Sequence, residues 1–105
     1  MLARIPGRGI FSQVIRSFGD KRTEALFRDQ VVPAFHGFAR RAKRKLEAVH
    51  AAARLDDVRV PPSNRLEKLR GDRKGFYSIR INDQWRVVFR WLDGDAHDVT
   101  ILDYH

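Results

Sequence analysis

From Phe76 to Trp91 apolar and polar side chains alternate with period two, and this alternation limits the fold more than any other feature of the chain. Tyr77, Ile79 and Ile81 fall on one face of a strand, with Ser78 and Arg80 on the other. Trp85, Val87, Phe89 and Trp91 alternate with Arg86, Val88 and Arg90 on the next strand. Asp93-Gly94 then reads as a hairpin turn, and a last strand is expected from His97 to about Leu102. Only one face of such a meander is fully apolar, so it needs a covering layer.

The first half of the chain supplies that layer. Asp20 is expected to cap a helix running to about Arg28, with Leu26 and Phe27 facing inward. Pro33 opens the longest helical pattern, in which Phe35, Phe38, Ala39, Ala42, Leu46, Val49 and Ala53 share one stripe. This helix is expected to reach about Arg54, a length of roughly 30 Å. Ser12 to Ser17 is a short strand candidate broken by Gly19-Asp20. Val60 to Asn64 reads as an extended loop, Arg65 to Arg70 as a weak strand, and Gly71 to Gly75 as a turn. The expected fold class is α+β, with two N-terminal helices packed on one face of a small, mainly antiparallel sheet. Residues 14–105 are expected to form one domain. Residues 1–13, where Pro6, Gly7 and Gly9 allow no periodicity, are expected to be an N-terminal extension.

Charge narrows the function. Lys and Arg total 21 against 13 Asp and Glu, a net charge of +8. A field of this sign attracts polyanions, and arginine, which dominates here, has a fork that matches phosphate. There is no apolar run near the ~20 residues of a membrane span. Met1 to Gln13 lacks the apolar stretch of a signal peptide. With no Cys, neither disulfides nor a thiolate metal site is expected, and a cytoplasmic location follows. The four histidines, His36, His50, His97 and His105, show no metal spacing, so neither metal nor cofactor is expected. Arg40, Arg41, Lys43, Arg44 and Lys45 on the outer faces of the long helix are either a solvated surface or a docking surface for ribosomal RNA.

The register of the first hairpin follows from continuity of its buried face. Pairing Ile81 with Trp85 keeps the apolar residues together and leaves a three-residue loop, Asn82-Asp83-Gln84. A two-residue turn would drive Arg86 into the core. The chosen register sets Arg80 opposite Arg86 on the exposed face, where like charges repel. Such a pair either holds an anion or splays into water. The last strand should bring Leu102 or its neighbour beside Arg86, and with it Asp103, Tyr104 and His105.

That cluster suits cleavage of RNA, which carries its own 2′-hydroxyl nucleophile. His105 or Asp103 can serve as the base. Arg70, Arg73, Arg80 and Arg86 can stabilise charge on phosphorus, and Tyr104 can stack on a base or orient a phosphate.

The run from Leu69 through Gly71-Asp72-Arg73-Lys74-Gly75 to Gln84-Trp85-Arg86 closely resembles the HigB ("plasmid maintenance killer") branch of the RelE/ParE toxin superfamily. Arg90-Trp91, Asp93-Gly94, the closing Asp103-Tyr104-His105 and the run from Leu55-Asp56-Asp57 through Val60-Pro61-Pro62 to Asn64-Arg65-Leu66 belong to the same pattern. The resemblance spans roughly Val14 to His105. It implies a toxin of a type II toxin–antitoxin system that enters the ribosome and cuts mRNA without metal. It also implies a HigA-like helix-turn-helix antitoxin, through which operator DNA would be bound. The family's catalytic positions fall on Arg70, Arg86, Asp103, Tyr104 and His105; Arg73, Lys74, Arg80, Lys68, Arg40, Arg41, Lys43 and Arg44 are the candidate RNA contacts. Two departures matter: Met1 to Gln13 has no counterpart in that pattern, and the segment before Gly71 differs. Related toxins often have His-Pro-Leu-Lys where this chain has Glu67-Lys68-Leu69-Arg70. An arginine does not donate its proton, so the acid–base work is expected of the last three residues. A gyrase-inhibiting toxin of the same fold and a simple RNA-binding module are the competing expectations.

Overall fold

A computed structural model describes residues 14–104. The expected N-terminal extension, residues 1–13, lies outside them, as does His105. Asp20 caps helix α1 (Lys21–Phe27), its carboxylate accepting the Thr23 N–H at 2.8 Å.

The pattern that opens at Pro33 is not one helix. Pro33–Phe35 forms a single 3-10 turn, and helix α2 spans Ala39–Ala51. Between them Gly37 takes φ +94°, a left-handed conformation that glycine adopts without strain and that ends the turn. On either side of this break Phe35 and Phe38 pack on Trp85, edge-on at 5.7 Å and stacked at 5.1 Å. At 13 residues α2 is about 20 Å long rather than the expected 30. Ala53 lies past its end and is exposed; Ala52 takes the buried place instead.

The sheet is an antiparallel meander in the order β1 (Glu67–Lys68), β2 (Phe76–Arg80), β3 (Trp85–Leu92), β4 (Asp95–Asp103). Strand β1 is shorter than Arg65 to Arg70 because Arg65 is left-handed (φ 48°) and Gly71–Arg73 curls into a 3-10 turn. Ile81 pairs with Trp85 as expected, its N–H reaching the Trp85 carbonyl at 2.9 Å. Asn82 closes the three-residue loop by accepting the N–H groups of Gln84 and Trp85 at 2.9 and 2.8 Å. Asp93 and Gly94 both have positive φ, 52° and 82°, as the twist-matched hairpin turn requires.

The expected strand Ser12 to Ser17 begins outside the described residues, and its described part, residues 14–17, forms no strand. Instead the chain runs parallel to β4 through single bridges at Ile15↔Ala96 and Phe18↔Val99, covering that sheet edge. Gly19 lies so close that a Cβ there would sit 1.9 Å from Thr100 Oγ1 and 3.1 Å from the Asp98 carbonyl. Gly19→Ala should therefore cost about 1–3 kcal/mol through overpacking. The expected result is a melting temperature lower by about 4–8 °C per kcal/mol.

Leu26 of α1 and Ala42, Leu46 and Val49 of α2 are buried in one cluster with Ile79, Val87, Phe89, Val99 and Ile101 of the sheet. In the register Ile79↔Val87↔Ile101 those sheet residues share a face. The opposite face carries Arg80 and Arg86.

Candidate functional site

Arg80 and Arg86 are directly opposed across β2 and β3, as the hairpin register required. Their environments differ. Of the two expectations for the pair, Arg86 does not splay into water on an exposed face; it is 8% exposed. Its Nε donates to Ser78 Oγ at 2.8 Å, and one terminal nitrogen donates to the Arg65 carbonyl at 2.6 Å. Glu67 approaches the same nitrogen at 3.8 Å. The loop carrying Arg65, not the core, covers the guanidinium. Burial pulls the Arg86 pKa below the ordinary arginine value, while Glu67 and Tyr104 oppose that shift. Arginine starts so high that the group stays charged at any working pH. Arg80 is one-third exposed and ion-pairs with Asp83, whose side chain stands in solvent.

Asn64 holds the covering loop. It is buried, donates to the Val58 and Val60 carbonyls at 3.0 and 3.2 Å, and accepts from Lys45 of α2. Burial, then Arg41, Arg44 and Arg80, lower the Lys45 pKa. A chain of contacts thus runs from the basic side of α2 through Asn64 to the carbonyl that fixes Arg86.

The last residues arrive where the sheet permits. Val88 pairs with Thr100 but Arg90 with His97, so β4 carries one extra residue; Asp98, with φ 54°, lies in that stretch. This shift puts Leu102 beside Arg86 and Asp103 beside Trp85. The Arg86 guanidinium lies 5.8 Å from the Tyr104 ring centroid, a cation–π contact. Gln84 clamps the end of the chain: its carbonyl accepts the Tyr104 N–H at 2.6 Å, and its amide donates to Asp103 at 2.9 Å.

These groups line two adjoining depressions that share Tyr104. The first, of about 660 Å³, includes Arg65, Glu67, Arg80, Asp83, Arg86 and Tyr104. The second is lined by Leu69, Arg70, Arg73, Leu102, Asp103 and Tyr104. Further hollows join Arg80 to Arg41, Arg44 and Lys45, and those to Arg40 and Asn82. The result is one arginine-lined trough from the start of α2 to Arg73.

Most of the expected site residues come together in this trough, in two groups rather than one. Lys43 is engaged elsewhere: its ammonium donates to the Phe27 carbonyl at 2.6 Å and to Asp29 at 2.7 Å. Lys68 and Lys74 are exposed on β1 and after the Gly71–Arg73 turn. Among the described residues no group of three or more His, Cys, Asp or Glu could hold a metal. The sequence reading missed Glu67, Ser78 and the Arg65 carbonyl. For Ser78 a signal existed: a hydroxyl diagonal to Arg86 across a strand pair. For the carbonyl there was none, because the contact joins positions 21 residues apart.

Comparison with known proteins finds a family over most of the chain. The family model described as "RelE-like toxin of type II toxin-antitoxin system HigB" matches residues 16–105. Endoribonuclease HigB of Proteus vulgaris is 33% identical over 95 residues, covering 88% of this chain and 100% of that protein. Toxin HigB-1 of Vibrio cholerae is 52% identical over 62 residues, 59% of this chain. The chain matches 64% of the length of that Vibrio protein.

Proposed function

Because the chain belongs to the RelE-like HigB toxins of type II toxin–antitoxin systems, we propose that it is an endoribonuclease that cuts mRNA on the ribosome without metal. The observation that carries this reading is the opposed Arg80–Arg86 pair in a cavity that Tyr104 also lines. Two fixed cations on adjacent strands suit one phosphate, whose charge rises as the 2′-oxygen attacks. Arg86 is buried and doubly tethered, so it needs no reorganisation as that charge develops. Tyr104 offers a stacking surface for a base, and Arg70 and Arg73 extend the cationic path past it. Arg40, Arg41 and Arg44 offer phosphate contacts at the other end. Asp103 and His105 serve the departing 5′-oxygen.

In this reading both helices cover the Ile79–Val87–Ile101 face and leave the arginine face to RNA, which the common core supports. The named activity of the Proteus relative supports the reaction class. The toxin's partner is an antitoxin, which we take to be a HigA-like helix-turn-helix protein that binds operator DNA for the complex. No described helix is long and apolar enough to cross a membrane; a toxin that acts on ribosomes acts in the cytoplasm.

Mapping transcript 5′ ends after induction without antitoxin tests the proposal. Growth arrest with new ends inside translated frames is the expected result. Arrest with DNA breaks and intact transcripts would make the protein a gyrase-type inhibitor instead.

A further inference from the structure

An anion-binding cavity has little use for a carboxylate, yet Glu67 lines the same cavity as Arg80, Arg86 and Tyr104. Strand pairing fixes its position. Glu67 is registered opposite Ser78, the residue that accepts the Arg86 Nε–H, and its carboxylate stands 3.8 Å from the Arg86 guanidinium. The arrangement is not explained by stability. The Glu67 side chain is 54% exposed, and a half-exposed pair at that separation contributes little. Arg86 is already held by Ser78 and the Arg65 carbonyl, both closer than Glu67. The other carboxylates differ. Asp83 stands almost wholly in solvent on a loop tip and is paired with Arg80. Asp103 lines the adjoining depression and accepts from Gln84.

Resting on the ribonuclease reading above, we propose that Glu67 is the proton acceptor of the site, taking the 2′-hydroxyl proton of the nucleotide whose phosphate lies on Arg80 and Arg86. The carboxylate becomes a carboxylic acid as the 2′-oxygen bonds to phosphorus. The bond from phosphorus to the 5′-oxygen breaks, and that oxygen takes a proton from water. The products are a 2′,3′-cyclic phosphate and a 5′-hydroxyl, and the carboxylic acid returns its proton to water. Strand β1 then supplies the base.

The test is single-turnover cleavage of ribosome-bound mRNA by the full chain, measured across pH for wild type, Glu67→Gln and Glu67→Asp. Glu67→Gln keeps the shape and an oxygen toward Arg86 but takes up no proton at working pH. It should lose about 10²–10⁴-fold in rate at saturating protein, with binding unchanged. The wild-type rate should fall at acid pH, and that fall should vanish in Glu67→Gln and persist in the slower Glu67→Asp. A glutamine variant within about threefold of wild type overturns the proposal. So does a slower variant that keeps the wild-type acid limb, since Glu67 would then only steady Arg86. If wild type itself cuts no RNA, the ribonuclease reading falls, and this assignment with it.

Discussion

Replacing Arg86 with alanine should abolish most of the activity and also weaken the fold. The guanidinium is buried and tied to Ser78 Oγ and to the Arg65 carbonyl. A preorganised charge-stabilising donor of this kind is worth about 10²–10³ in rate. Its loss also leaves the buried Ser78 hydroxyl and the Arg65 carbonyl without their donor, at about 1–3 kcal/mol. Arg86→Lys separates the two effects. Lysine keeps the charge but lacks the fork that reaches both acceptors at once, so it should regain stability better than rate. Single-turnover cleavage and thermal unfolding, measured on both variants, check this. An alanine variant of full activity would remove the phosphate site from the account.

The second large effect is expected from Asp103→Ala combined with His105→Ala. Proton transfer by a positioned acid or base contributes about 10²–10⁴ in rate, and the pair holds the groups assigned to the leaving oxygen. Stability should change little, because Asp103 is exposed and its bond to the Gln84 amide lies at the surface. An exposed hydrogen bond such as the one from Gln84 contributes about 0.5–1.5 kcal/mol. Induced without antitoxin, this double variant should leave growth unarrested while accumulating as folded protein. Continued cleavage of transcripts at the wild-type rate would show that the last residues take no part.

The sheet half was legible because its constraint is local and two-valued. A strand residue faces one side or the other, and face continuity alone set Ile81 against Trp85 and Arg80 against Arg86. The last strand could be placed only to within one residue, because nothing in the residues around Asp98 announces a bulge. Without it, Ile101 rather than Leu102 would fall beside Arg86. The long helix was misjudged for a different reason. Its apolar spacing continues through Gly37, and the rings that hold the break open pack on Trp85, far along the chain. The burial of Arg86 escaped notice because its cover is a backbone carbonyl from a left-handed residue. Glu67 drew attention only as a missing histidine, since its meaning depends on what lies across the cavity.

The direct test of the central claim, that RNA in the arginine trough is cut by its own 2′-hydroxyl, is a chemical change in the substrate. An mRNA carrying one 2′-deoxynucleotide on the 5′ side of the cut is programmed into ribosomes and challenged with the purified toxin in the presence of a chelator. The account predicts that the all-ribose message yields a 2′,3′-cyclic phosphate end while the substituted one stays intact at that position, with protein binding undiminished. Scission of the deoxy-substituted message at the same bond would contradict it.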